Sequence, residues 1–151
     1  LPPQSLKLEI TESVVMKNLD ATLTKLNGLK ALGVKLAMDD FGTGYSSIAS
    51  LSRLPLDTVK IDRAFVNRLT EHEDAHSVLV AIITLSSALK LNVTGEGIET
   101  AHQKSSLQNL GCHVGQGYLF AKPLPPEMLC EHPYFHAKEG GESSIQKPLA
   151  A

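Results

Sequence analysis

The segment from Leu19 to Asp40 reads LDATLTKLNGLKALGVKLAMDD. Leu19, Leu23, Leu26, Leu29 and Leu32 recur at spacings of three and four, which is one apolar helical face. Gly33 stands where a helix closes through a left-handed residue just beyond its last turn. Val34 to Met38 then reads as a strand running into two adjacent acids, Asp39 and Asp40. A helix that ends in Leu-Gly and feeds a strand is half of a βα repeat, and the same step returns at Leu110-Gly111.

Working outward, Lys7 to Ile10 alternates and predicts a short strand. A turn rich in Gly and Ser, Phe41 to Ser47, leads to a short helix over Ser46 to Ser52, which Pro55 prevents from continuing. Thr58 to Ile61 predicts a third strand. Ala75 to Leu89 predicts a helix with Val78, Leu79, Ile82, Leu85 and Leu89 on one side. Leu91 to Thr94 begins a fourth strand that ends in Gly95-Glu96-Gly97. Thr100 caps the helix that closes at Leu110-Gly111. His113 to Phe120 is a fifth strand region, broken by Lys122 to Pro126. This alternation predicts an α/β fold with a parallel sheet and outer helices. The Gly-, Ser- and Glu-rich tail after Phe135 is expected to be loose.

Composition narrows the function classes. The 151 residues are 42% hydrophobic and 20% charged, an ordinary globular balance for one domain. Fourteen basic against 16 acidic residues leave a net charge of −2, too little cationic excess for a nucleic-acid binder. Two cysteines, Cys112 and Cys130, are too few for a disulfide scaffold and read as reduced thiols of a cytoplasmic protein. The apolar stretch Ser77 to Leu91 is interrupted by Thr84, Ser86, Ser87 and Lys90 and is too short to span a bilayer. No signal peptide is expected. The opening Leu-Pro-Pro-Gln, without Met, suits a piece of a longer protein.

Polar groups gather at the predicted strand ends. The first strand ends at Glu9 and Glu12, and the second at Asp39 and Asp40. The third carries Lys60 and Asp62, two apart and so on one face; the fourth ends at Glu96, with Glu99 beyond; the fifth contains Gln116. The C-terminal ends of parallel strands share one rim, where α/β proteins bind ligands. Carboxylates brought together there repel one another, and a divalent cation offsets the repulsion. All-oxygen ligands favour Mg²⁺ or Mn²⁺ over Zn²⁺. Metal, lysine and a spare carboxylate suit hydrolysis of a phosphate ester. Acids after strands also serve as helix N-caps, which accounts for many single cases. Adjacent acids before Phe41-Gly42-Thr43-Gly44 point to a site instead.

Five motifs in order carry a family resemblance: Leu8-Glu9-Ile10-Thr11-Glu12-Ser13, Asp39-Asp40-Phe41-Gly42-Thr43-Gly44-Tyr45-Ser46-Ser47, Lys60-Ile61-Asp62, Glu96-Gly97-Ile98-Glu99-Thr100 and Gln116-Gly117-Tyr118-Leu119-Phe120. From about Leu6 to about Pro126 the chain resembles the EAL domain, whose members hydrolyse cyclic di-GMP to linear pGpG. The resemblance implies a TIM-type (β/α) barrel with one irregular strand and a two-metal site for Mg²⁺ or Mn²⁺. It implies that Glu9 and Asp39 ligate metal and that Asp40 approaches the second ion. Lys60 would contact the attacking water or phosphate, with Asp62 in the same site. Glu96 would be general base or metal-site partner, and Gln116 would help hold it. Glu12 would support the loop after the second strand and couple metal binding to dimer contacts.

The Glu-Ala-Leu triplet itself and the strand with a metal-ligating Asn are absent. The expectation is therefore a partial barrel of about five strands lacking the N-terminal ones, against about 250 residues and eight strands for a whole barrel. Residues 1–135 would be the C-terminal portion of the domain and 136–151 a flexible tail. Open sheet edges predict that the chain alone is unstable or oligomeric, and the missing Glu-Ala-Leu triplet predicts that it is inactive. Expected partners are cyclic di-GMP and either a second copy or the missing N-terminal half. The alternative is a non-catalytic remnant that senses cyclic di-GMP or binds protein. Gly95, where the family often has Ala, should loosen Glu96. His113 replaces a common Asp. His72 and His76 read as a solvated helix face, His132 and His136 as surface, Cys112 as core, and Lys122 as a loop lysine more than a phosphate contact.

Overall fold

The computed structural model describes residues 1–42, 48–69, 73–129 and 131. A 3-10 turn, Pro3–Ser5, precedes strand β1 (Lys7–Thr11). Helices α1 (Glu12–Lys17) and α2 (Leu19–Ala31) lead to β2 (Lys35–Phe41). Helix α3 (Ile48–Arg53), β3 (Thr58–Ile61), α4 (Arg63–Arg68) and α5 (Glu73–Ala88) follow. The chain continues with β4 (Asn92–Gly95), α6 (Ala101–Asn109), β5 (Val114–Gly115) and α7 (Pro126–Leu129). The strands form one sheet in the order β1-β2-β3-β4-β5, every neighbouring pair parallel. This is the successive order of a barrel segment, with β1 and β5 as its edges.

The repeated Leu-Gly step has one physical cause. Beyond Leu32, Gly33 takes φ +91° and donates to Lys30 O at 2.8 Å, while Val34 N–H reaches back to Leu29 O at 3.2 Å. Beyond Leu110, Gly111 takes φ +90° and donates to Gln108 O, and Cys112 N–H reaches Leu107 O, both at 2.9 Å. Each is a Schellman closure, which satisfies the last carbonyls and turns the chain into the next strand. At the other end of α6, Thr100 accepts from Gln103 N–H and Gln103 accepts from Thr100 N–H, a full capping box.

The core lies between the sheet and its helices. Leu36 and Met38 of β2, Val59 and Ile61 of β3, Leu79 of α5 and Leu107 of α6 are fully buried there. The opposite face of the sheet carries Glu9, Asp39 and Lys60. β3 is buried at every residue, as a central strand should be.

Three sequence expectations need correction. The fifth strand is only Val114–Gly115, because residues 118–120 turn rather than extend. Helices α1 and α4 start directly after β1 and next to Asp62, where only strand ends were expected. On α5, Val78 points outward at 41% exposure, and Ile83 and Ser86 take part in the buried face instead. Cys112 is buried and unpaired, as expected of a core thiol. The first residues of the predicted Ser46–Ser52 helix, His72, Cys130, His132, His136 and the tail lie outside the described residues. No helix among the described residues is long and apolar enough to cross a membrane.

Candidate functional site

The site is built on the C-terminal ends of the strands, and a bulge in β2 makes it. Met38 pairs with Val59 and Phe41 with Ile61, so three residues of β2 advance while two of β3 do. Strict alternation would send one of Met38 and Phe41 to the core and the other away from it. The extra residue keeps both in the core and frees both acids between them. Asp40 is the residue that absorbs the bulge, at φ +54°. Asp tolerates this left-handed conformation better than most residues.

Lys60, 7% exposed, is the centre of the cluster. Its Nζ donates to Glu9 Oε2 at 2.7 Å. It also lies 2.7 Å from Glu96 Oε1 and 3.0 Å from Asp39 Oδ1. Asp39 Oδ1 is buried and, despite this ion pair, is aligned with no hydrogen-bond donor. Gln116 Nε2 donates to Glu96 Oε1 at 2.7 Å. The backbone enforces that contact: Gln116 N–H donates to Gly95 O, and Gln116 O accepts from Ile98 N–H. Asp62 plays two parts. Its Oδ1 caps α4 through Ala64 N–H at 2.8 Å, as the bland reading of strand-end acids holds. It also lies close enough to Asp40 to raise that carboxyl. Glu12 is buried in the first turn of α1, and its Oε2 accepts from Gly42 N–H, at the foot of the turn after β2.

All eight residues expected from sequence are thus brought to one rim, Glu12 behind the turn and the other seven around the opening. Burial disfavours the Lys60 ammonium, but the carboxylates of Glu9, Glu96 and Asp39 outweigh it and hold Nζ above the ordinary lysine range. Burial pushes the Glu96 carboxyl up; Lys60 opposes this, and Asp39 and Glu9 add to it. Desolvation, with Asp39 and Asp62, raises Asp40.

The donor set suits a hard divalent ion. One carboxylate oxygen each from Asp39, Asp40 and Glu96 lies within 4.8 Å of the others. The unaligned Asp39 Oδ1 has a lone pair to give. The set is all oxygen, without His or Cys, which disfavours zinc.

Residues 1–123 match the family model for the EAL domain. The chain belongs to the EAL domain family. Among curated relatives, it is 46% identical over 129 residues to the bifunctional diguanylate cyclase/cyclic di-GMP phosphodiesterase MucR of Pseudomonas aeruginosa, covering 85% of this chain but 19% of MucR. The EAL fold is equally evident in solved structures. A MucR phosphodiesterase complex with c-di-GMP superposes with a TM-score of 0.83 at 46% identity, over 85% of this chain and 52% of that one. BlrP1 of Klebsiella pneumoniae, in a manganese/cy-diGMP complex, gives 0.77 at 32% identity, over 82% and 31%. This EAL chain therefore spans about half of the first of these solved chains, which fits a partial barrel.

Two features of the site had no reading in the sequence. Asp57 ties the strands together at their far ends, and Arg63 opens onto the rim beside Gln116. A hydrophobic-pattern reading passes over Asp57. The position of Arg63, directly after the Lys60-Ile61-Asp62 motif, was the available signal for the other.

Proposed function

We propose that residues 1–135 are the C-terminal portion of an EAL phosphodiesterase that hydrolyses one phosphodiester bond of cyclic di-GMP to give linear pGpG. The observation that carries this reading is the ring of Glu9, Asp39 and Glu96 around a buried Lys60, with Asp40 on the bulge beside it. Seven polar side chains converge on one rim although 107 positions separate Glu9 from Gln116. Stability alone gives no reason to gather so many like charges.

Glu9, Asp39 and Asp40 would hold Mg²⁺ or Mn²⁺ in a two-ion site, with Glu96 at its edge. When bound, the ions supply Lewis acidity toward the phosphate and acidify coordinated water. The chain's own groups do the rest. Glu96, held above its usual range, takes the proton of the attacking water. The amide of Gln116 fixes the orientation of that carboxylate. Lys60 places a permanent positive charge where negative charge grows on the phosphoryl oxygens. Asp62 holds the start of α4, and its charge helps to raise the neighbouring Asp40 carboxyl. Glu12 supports the turn after β2, the route by which pairing of two copies would reach the metal ligands. The domain acts in the cytoplasm. The earlier half of the barrel completes the ligand set.

The test is turnover of cyclic di-GMP by the full-length protein with Mn²⁺, read as pGpG by chromatography. Hydrolysis in the wild type and its loss in Glu96→Gln are expected. A folded wild type that binds cyclic di-GMP tightly without turnover would mean a sensor and overturn the reading. Near-normal rates in Glu96→Gln would remove Glu96 from the chemistry.

A further inference from the structure

The structure assigns Gln103 and Asn67 a positioning role: together they form a strut that holds Glu96 against Lys60. This deepens the phosphodiesterase reading and rests on it for the chemistry that the strut serves. Lys60 and Glu96 stand at the ends of neighbouring strands, with Nζ and Oε1 2.7 Å apart. Beyond them the chain leaves the sheet twice. Lys60 runs through Asp62 into α4, and Glu96 runs through a short loop into α6. Toward β5, backbone bonds hold that loop, from Ile98 N–H to Gln116 O and from Leu119 N–H to Ile98 O. Toward α4, side chains do the joining.

Gln103 is buried, and its amide reaches three partners. Oε1 accepts from Thr100 N–H at 3.0 Å and from Glu99 N–H at 2.8 Å. Nε2 donates to Asn67 Oδ1 at 3.3 Å. A capping box needs only the Thr100 pair. The other two bonds are surplus to capping α6, and both act on the loop that carries Glu96. One fixes the last peptide of the loop, and the other ties it to a helix 36 positions earlier. The loop meets α4 at a second point. Gly97, at φ +65°, packs so closely on α4 that a Cβ there would lie 2.5 Å from Arg63 Cβ. Arg63 and Asn67 are four apart and so share one face of the helix. That face receives the loop at both ends, Gly97 next to Glu96 and Gln103 just inside α6. Asp62, which caps α4, stands two residues past Lys60. A shift of α4 or of the loop would therefore be carried to the Lys60–Glu96 pair. A misplacement of about 1 Å at a reacting group can cost about a hundredfold in rate.

The experiment measures kcat and KM for cyclic di-GMP in the full-length protein with Mn²⁺. Hydrogen exchange of residues 96–99 and of α6, read by mass spectrometry, gives a second measure that needs no turnover. Asn67→Ala removes the strut and leaves the cap of α6 intact. Asn67 is exposed and alanine is the better helix former, so thermal unfolding should stay near the wild type. In this variant kcat should fall about tenfold with KM within twofold. Exchange at 96–99 should rise, and exchange in α6 should not. Asn67→Asp keeps an acceptor for Gln103 Nε2 and should hold kcat within twofold of the wild type. Gln103→Glu combined with Asn67→Asp still caps α6 but sets two carboxylates face to face, so kcat and exchange should follow Asn67→Ala. Should the double variant not fold, the contrast between Asn67→Ala and Asn67→Asp decides alone. A role in capping only predicts full kcat in Asn67→Ala, and that result overturns the proposal. So does an Asn67→Asp variant that loses as much as Asn67→Ala. Hydrolysis by the wild type that Asn67→Ala leaves intact removes the strut and keeps the phosphodiesterase. The expected exchange pattern without any hydrolysis in the wild type removes the phosphodiesterase and keeps the strut, and unchanged exchange there removes both.

Discussion

Removing the charge of Asp57 should loosen the sheet from the end opposite the site. Asp57 precedes β3 and connects four elements. Its carboxylate accepts from Lys30 Nζ of α2 with both oxygens at 2.8 Å and from Leu36 N–H of β2 at 2.8 Å, and Lys35 lies 3.4 Å away. Its own N–H donates to Leu36 O, and its carbonyl accepts from Asn92 N–H of β4. The side chains of Lys30 and Asp57 are 30% and 19% exposed, so the pair is screened only in part. Asp57→Asn keeps an oxygen for Leu36 N–H and loses the ion pair, a loss of about 1 kcal/mol. Asp57→Ala also strands a strand N–H, so its total should be about 2 to 4 kcal/mol. Burial alone would raise the Asp57 carboxyl, but Lys30, the Leu36 N–H and Lys35 outweigh it and hold it below its usual range. A depressed carboxylate contributes stability that is complete above the unfolded value, about 3.9, and is lost as pH falls through the folded one. The gap between wild type and Asp57→Asn should thus be full at pH 7 and close in acid below the unfolded value. Denaturant unfolding of the domain across that range measures both quantities. Two results would refute the reasoning: an Asp57→Ala variant within 0.5 kcal/mol of wild type at pH 7, against the estimate above, or a gap that persists unchanged in acid.

Lys60→Met should abolish turnover and cost about 3 to 5 kcal/mol, because it leaves Glu9, Asp39 and Glu96 facing one another without their shared cation; thermal unfolding and pGpG formation check the two effects separately. Gly95→Ala would set its new Cβ 2.8 Å from Leu107 Cδ1, so it should destabilise by about 1 to 3 kcal/mol, and Leu107→Val in the same chain should recover part of that. The 151-residue chain by itself should self-associate through the open edges at β1 and β5, which sedimentation velocity detects as a rise in mass with concentration.

Gly95 shows what a sequence does not display. Extra backbone freedom was expected to loosen Glu96. In the structure the space of a methyl group is filled by Leu107, and Glu96 N–H is held by Ile61 O at 3.1 Å. A glycine's freedom is visible in a sequence; a neighbour that occupies the vacated volume is not.

Sequence alone determined the order of the elements and the inventory of the site. Leucines at helical spacing, the repeated Leu-Gly closures and the Thr100 cap are local signals, each encoded within a few residues, so their outcome follows from sequence. Polar residues at successive strand ends must share a rim once the strands are parallel, so convergence was also legible. Tertiary structure alone decided which groups touch. Nothing in Met-Asp-Asp-Phe says that a bulge will let both acids leave the core face; pairing with β3 and the burial of Met38 and Phe41 impose it. Likewise, Asp57 reads as an ordinary loop acid. Its role depends on contacts across 21 to 35 positions, to Leu36 and Asn92, set by the register of a sheet that no single segment contains.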